Sequence, residues 1–120
     1  MNLTLHPELI PKVSQRFAAL ADENRLRLLL RLKSSAANVT TLTDELQIAQ
    51  ASVSKHLAVL RQVGLVDVER RGNQAFYRIR DDSVFDMCRI VCDGVIRFAQ
   101  EEHAAMGLSI RRRSQKAGAS

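Results

Sequence analysis

Cys88 and Cys92 are the only thiols of this 120-residue chain, and they stand four residues apart. On one helix that spacing puts both side chains on a shared face, with Cβ atoms about 5–6 Å apart. An unstrained disulfide wants about 3.8 Å, so the gap is too wide for a bond between them. Two thiolates can still rotate onto one soft ion, because a metal–sulfur bond of about 2.3 Å spans the remainder. A third ligand could come from Asp86, His103 or a second copy of the chain. The competing reading makes both cysteines small buried hydrophobes at a helix seam, as free cysteines usually are. Other reactive chemistry finds no support. His6, His56 and His103 are far apart and show no zinc-finger spacing. No Cys–His–Asn/Asp signature marks a thiol nucleophile, and the five glycines are too scattered for a phosphate loop. The chain reads as a non-enzyme.

A second constellation lies in "AQASVSKHLAVLRQVGLV", residues 49–66. Val53, Leu57, Leu60 and Leu65 recur at spacings near three to five, the stripe of a helix seated on a core. Gln50, Ser52, Ser54, Lys55 and His56 crowd the first two turns and point elsewhere. These are hydrogen-bonding side chains, suited to being read by something outside the fold. His56, beside Leu57, packs at the seam with the scaffold, touches a phosphate or ligates a metal.

The flanking segments supply the frame. Residues 1–7 look loose, and Pro7 opens a first helical pattern from roughly Glu8 to Ala21, with Pro11 in its first turn. Asp22 caps a second helix over "ENRLRLLLRLKSS", whose core side is Leu26, Leu29, Leu30 and Leu32. After the small-residue connection "SSAANV", Thr40 or Thr41 caps a short helix over "LTDELQ", with Leu42 and Leu46 inward. The helix of the polar front then ends at Gly64, the expected residue just past a helix terminus. From there the apolar period changes from 3.6 to 2. "LVDVER" and "AFYRIR" alternate around a "RGNQ" turn, which reads as a β-hairpin with Arg70, Arg71, Asn73 and Gln74 at its tip. "DDS" caps a long helix from about Ser83 to Met106. Its wide apolar face comprises Val84, Phe85, Cys88, Val91, Cys92, Val95, Ile96 and Phe98.

The order α-α-α-α-β-β-α predicts a mainly α (α+β) winged helix-turn-helix. In such a unit the second helix of the pair enters the major groove of double-stranded DNA with its N-terminal residues on base edges. Gln pairs bidentately with adenine, Ser suits several edges or phosphates, and Lys suits guanine or phosphate. Arg70 and Arg71 at the hairpin tip can meet the adjoining backbone or minor groove. The same fold used as a protein-interaction scaffold would have a recognition helix poor in base-reading side chains, unlike this one.

Composition sets wider bounds. The length suits one domain, and the 46% apolar content is globular. No apolar run approaches the roughly 18–20 residues of a membrane span. "MNLTLHPELIP" has no basic n-region or long h-region, so no signal peptide is expected and the cytoplasm is the default. The net charge of +5 favours polyanions only weakly, because Arg111, Arg112, Arg113 and Lys116 supply most of it from the tail. The apolar face of the last helix exceeds what a small monomer hides, which predicts a two-fold dimer.

Three stretches, "LADENRLRLLLRL" (20–32), "SVSKHLAVLRQVGLV" (52–66) and "RRGNQAFYRI" (70–79), resemble the ArsR/SmtB family of bacterial winged-helix repressors. With the flanking helices the resemblance covers about residues 8–106. It implies a homodimer through the first and last helices, operator binding near a promoter, and release when an effector binds. Ala49 stands where Ser or Thr commonly caps the recognition helix, and Gln47 where Gly often makes the turn. The missing cap costs about 1 kcal/mol. The family's effector sites fit poorly. Asn38-Val39-Thr40 replaces the Cys-Val-Cys of arsenic and cadmium sensors. Asp86-Met87-Cys88 followed by Ala99 breaks the zinc and nickel pattern, and the second helix lacks the cysteine of persulfide sensors. Cys88 and Cys92 remain, and arsenite or antimonite is the effector the resemblance most suggests. A redox or persulfide effector, or none, stays open. The expected organisation is therefore a flexible 1–7, a DNA-binding and dimerisation domain over 8–106, and a disordered basic tail over 107–120.

Overall fold

Two helices of this chain, the second and third, start where a side-chain oxygen accepts a backbone N–H that the first turn leaves unpaired. The computed structural model describes residues 5–107. The expected basic tail beyond Gly107 and the first four residues lie outside them. Helical structure begins one residue earlier than expected, with a 3-10 turn at Pro7–Leu9 leading into α1, Ile10–Leu20. Asp22 caps α2, Glu23–Ser34, its Oδ1 accepting the Arg25 N–H at 3.1 Å. The next helix departs from expectation. Asn38, rather than Thr40 or Thr41, caps α3, Val39–Leu46, by accepting the Thr41 N–H at 2.8 Å. Both threonines thus lie inside the first turn. Asn outranks Thr as a cap, and Asn38 has the extended backbone that a cap requires.

Gln47 ends α3 in the left-handed region at φ 56°, the conformation that favours glycine. Its side chain compensates locally by donating from Nε2 to the Asp44 carbonyl at 2.7 Å. Gln47, Ile48 and Ala49 then form the turn into α4, Gln50–Gln62, and buried Ile48 plugs the corner. Ala49 gives no side-chain cap, as its residue type dictates. The far end of α4 is firmly closed. Gly64 has φ +80°, the Leu65 N–H bonds the Leu60 carbonyl at 3.0 Å, and the Gly64 N–H bonds the Arg61 carbonyl at 3.0 Å. This is the Schellman arrangement, with Leu65 and Leu60 both buried as its apolar contact.

β1, Val66–Arg71, pairs antiparallel with β2, Gln74–Ile79, in the register Val66↔Ile79 through Arg71↔Gln74. The turn is tighter than the four-residue "RGNQ". Only Gly72 and Asn73 lie between the strands, and the positive φ at Gly72 alone (62°) is the type II′ pattern that suits a two-residue hairpin. Tyr77 also bonds Ala37 in both directions, N–H to carbonyl at 2.8 and 3.0 Å, which fixes the α2–α3 connection to the hairpin.

The core under these elements is Leu28, Leu29, Leu32, Leu42, Val53, Leu57, Leu60, Leu65 and Val66, each at most 3% exposed. Burying each such side chain contributes about 1.5–3 kcal/mol. Leu30, expected in the core, is 61% exposed, and Leu28 takes its place. At about 100° per residue, Leu30 falls opposite the stripe that Leu28, Leu29 and Leu32 define.

The described residues fall into two units, one ending at Asp82 and the other starting at Ser83. The second is α5, Ser83–Met106, with the bounds its sequence predicts. Val84, expected on its partner-seeking surface, is buried, whereas Ile90, Val91, Val95, Ile96 and Phe98 are 49–63% exposed. Among the described residues no helix is long and apolar enough to cross a membrane.

Candidate nucleic-acid interface

The front of α4 divides cleanly into a buried and an outward side. Val53 and Leu57 are fully buried, which fixes the helix's rotation about its axis. Ala51, Ser54 and Lys55 are exposed away from that side, Gln50 is exposed at the helix's first residue, and Ser52 is half-buried. The sequence singled out the polar members and passed over Ala51, which has no hydrogen-bonding group. Its methyl is nevertheless part of the outward surface, and apolar contacts of that kind suit the methyl of thymine.

His56 lies apart from these residues. Its side chain is 16% exposed, with Nε2 4.0 Å from Asp22 Oδ1 and Nδ1 3.3 Å from Arg25 Nη1. Nδ1 can accept from that guanidinium only when it carries no proton. Arg25 itself donates from Nε to the Ala19 carbonyl at 2.6 Å and from Nη2 to that of Ala18 at 3.3 Å, satisfying the last carbonyls of α1. The ring therefore occupies the seam position that its neighbour Leu57 suggested. The Arg25 N–H, and secondarily His56, hold the Asp22 carboxyl below the ordinary aspartate range.

At the hairpin, Arg70 pairs with Ala75 and Arg71 with Gln74, so the basic residues flank the turn and Asn73 sits within it. Arg70, Arg71, Asn73 and Gln74 are exposed. Arg71 is partly engaged, with Nη2 3.3 Å from Glu69 Oε2 and its guanidinium carbon 4.9 Å from the Phe76 ring centre. Arg78 Nη1 reaches the same Glu69 oxygen at 3.3 Å. Gln74 points back toward the body, its Oε1 accepting from Asn38 Nδ2 at 3.3 Å. Asp67 accepts the Val68 N–H at 2.9 Å, and this bond with nearby Arg78, Arg80 and Arg61 lowers its pKa. The acidic partners went unnoticed in the sequence. The strand register exposes them, since Glu69 and Arg71 share one face of β1.

In the second unit, Cys88 is half-buried and Cys92 exposed. Among the described residues, no three His, Cys, Asp or Glu side chains gather into a metal-ligand set. Neither Asp86 nor His103 therefore completes such a set with the two cysteines inside one chain. The donor chemistry of two thiols suits a soft ion, but the remaining ligand is not supplied by these residues.

Comparison with known proteins agrees with this geometry. A helix-turn-helix domain family matches residues 20–69, from the end of α1 into β1. The chain is 32% identical over 94 residues to the HTH-type transcriptional repressor SmtB of Mycobacterium tuberculosis, covering 78% of this chain and 67% of that protein. It is 33% identical over 78 residues to the arsenical resistance operon repressor of Bacillus subtilis, covering 64% and 74%. Its fold superposes on HlyU from Vibrio cholerae with a TM-score of 0.63 at 29% identity, over 72% of this chain and 94% of that one. SmtB and the arsenical resistance operon repressor are repressors, and HlyU of Vibrio cholerae is a transcriptional activator. With a paired-helix core, a polar recognition front and a two-stranded wing, the chain belongs to the ArsR/SmtB family of winged helix-turn-helix transcriptional regulators.

Proposed function

We propose that this chain is a DNA-binding transcriptional repressor that acts in the cytoplasm as a homodimer on double-stranded operator DNA. The carrying observation is the exposed Gln50, Ser54 and Lys55 at the front of a helix whose inner side is locked by Val53 and Leu57. A helix so fixed presents its hydrogen-bonding front at a defined angle, which base readout in the major groove requires. Gln50 reads adenine, Ser52 and Ser54 reach base edges or phosphates, Lys55 takes guanine or phosphate, and Ala51 meets a thymine methyl. Arg70, Arg71 and Asn73 set the wing on the adjoining backbone. His56 and Gln74, both tied into the scaffold, act by holding these elements in place.

Dimerisation is supported by the apolar side chains that α1 and α5 leave exposed, among them Phe17 at 55%, Val95 at 61% and Phe98 at 63%. A two-fold axis would bring two recognition helices to about one DNA turn, roughly 34–36 Å, apart. Cys88 and Cys92 are the effector site in this reading, taking arsenite, antimonite or another thiophilic ion with a ligand from the second copy. Ligation there would change the spacing of the recognition helices and release the operator.

The test is a mobility shift on the chain's own promoter and on a scrambled duplex, repeated with arsenite, antimonite, zinc, cadmium, copper and persulfide. The proposal expects preference for the promoter, release by a thiophilic ion, and loss of that release in a Cys88→Ser, Cys92→Ser double variant that still binds. Equal binding to both duplexes would remove the DNA-reading role. Release of the double variant by the same ion would reduce the cysteines to packing.

A further inference from the structure

The two elements proposed to meet DNA are joined at one short turn. The recognition helix ends at Val63–Gly64, and the hairpin leaves directly from Leu65. The chain returning from β2 closes on the same point, where the Leu65 carbonyl accepts the Arg80 N–H at 2.9 Å and the Asp81 N–H at 3.5 Å. One side chain from a third element sits on this joint. Arg16, in the middle of α1, donates from Nε (3.2 Å) and Nη2 (2.7 Å) to the Val63 carbonyl, and from Nη1 to Asp81 Oδ2 at 2.8 Å. Its Nη2 also packs 3.2 Å from the position a Cβ on Gly64 would take. The guanidinium thus joins the end of α4 to the segment that directly follows the wing's return strand, and both to α1.

We infer that Arg16 is a positioning residue for DNA recognition, holding the recognition helix and the wing at the mutual angle at which both fit one duplex. This rests on the DNA-reading role proposed above. Three physical features support it. A cation at the C-terminal end of α4 faces the negative end of the helix dipole, where it is favourable. The planar fork spends its donors in fixed directions on two partners, a task that a lysine ammonium cannot reproduce. Leverage completes the case. From Val63 to Gln50 the helix is about 20 Å long, so a tilt of about 5° at the joint displaces its front by nearly 2 Å. Hydrogen bonds to base edges are lost over much smaller displacements. Exposed cations on the front and wing would keep their attraction to phosphate whatever the tilt.

The experiment compares Arg16→Lys and Asp81→Asn with the wild-type chain, measuring affinity for the promoter and for a scrambled duplex across a salt series. Circular dichroism and the active fraction confirm folding at the assay temperature. Arg16→Lys should lose about tenfold or more on the promoter, the size of one lost base contact, while scrambled-DNA affinity and the salt slope stay put. Asp81→Asn keeps the Val63 carbonyl bonds and should show a smaller loss of the same kind. Hydroxyl-radical footprints should show wing protection moved or weakened relative to that of the recognition helix. If folded Arg16→Lys keeps the wild-type promoter preference, the inference is wrong. Should that variant not fold, an unchanged preference in Asp81→Asn overturns the inference and a reduced one upholds it. A wild-type chain that shows no promoter preference removes the DNA-reading role itself, and with it the basis for any positioning.

Discussion

Asn38 and Gln74 are 36 residues apart in sequence, yet their side chains meet, Asn38 Nδ2 donating to Gln74 Oε1 at 3.3 Å. The other end of the same Asn38 amide caps α3 through the Thr41 N–H. One side chain therefore both starts the positioning helix of the pair and tethers the tip of the wing. Asn38→Ala should cost about 1 kcal/mol in chemical denaturation through the lost cap. Asn38→Ser should restore most of that stability and leave the tether broken. Faster amide exchange in residues 70–75 of both variants, with the α4 core unchanged, checks the division of roles.

Gly64 combines a left-handed backbone with close approach of Arg16. Gly64→Ala forces an L side chain to φ +80° and makes Nη2 give by a few tenths of an ångström against the Val63 carbonyl. The expected loss is about 1–2 kcal/mol, read as a lower denaturation midpoint at unchanged m-value. In an Arg16→Lys background the same change should cost less, since the two residues share one contact.

Much of this architecture could be read directly from the residues, and the exceptions are of two kinds. Asp22, Gly64 and the bounds of α5 carry local signals, a cap, a left-handed terminator and an uninterrupted period, and the structure agrees with each. The errors at α3 and α2 were also local, a choice between neighbouring caps and between adjacent leucines, where one residue turns the helix by about 100°. What no pattern encodes is pairing at long range. Arg16 is 47 residues from Val63 and 65 from Asp81, and Arg25 is 31 from His56. In sequence these arginines are indistinguishable from ordinary helix-surface cations. The exposed polar front of α4 was legible as a surface because its context, a short helix, a turn and a following hairpin, lies within one continuous stretch.

Acid should loosen the start of α2. The Asp22 carboxyl is held below its ordinary range chiefly by the Arg25 N–H and next by His56. A carboxyl with a lowered folded-state pKa contributes stability that is fully present above its unfolded value and is lost as the pH falls through the folded one. The window is therefore below about pH 4. Thermal midpoints measured from pH 6 downward should fall in that window, and Asp22→Asn, which keeps a capping oxygen without the titration, should flatten part of the fall.

Glu69 restrains the wing's charge, because Arg71 and Arg78 both reach its Oε2 at 3.3 Å. Glu69→Gln should release Arg71 toward phosphate. Affinity for promoter and scrambled duplex should rise together by about two- to fivefold at low salt, with a steeper salt slope, since phosphate contacts carry no sequence information. A gain confined to the promoter would point instead to base readout by the wing.

Base reading by the front of α4 is the central claim, and Gln50→Ala tests it most directly. Fluorescence anisotropy would compare this variant and the wild-type chain on the promoter, on promoter duplexes changed at single base pairs, and on a scrambled duplex. The account predicts a loss of roughly 1–3 kcal/mol on the promoter, relaxed preference at one base pair, and unchanged affinity for the scrambled duplex. Equal losses on promoter and scrambled DNA, with preference at every position intact, would contradict it.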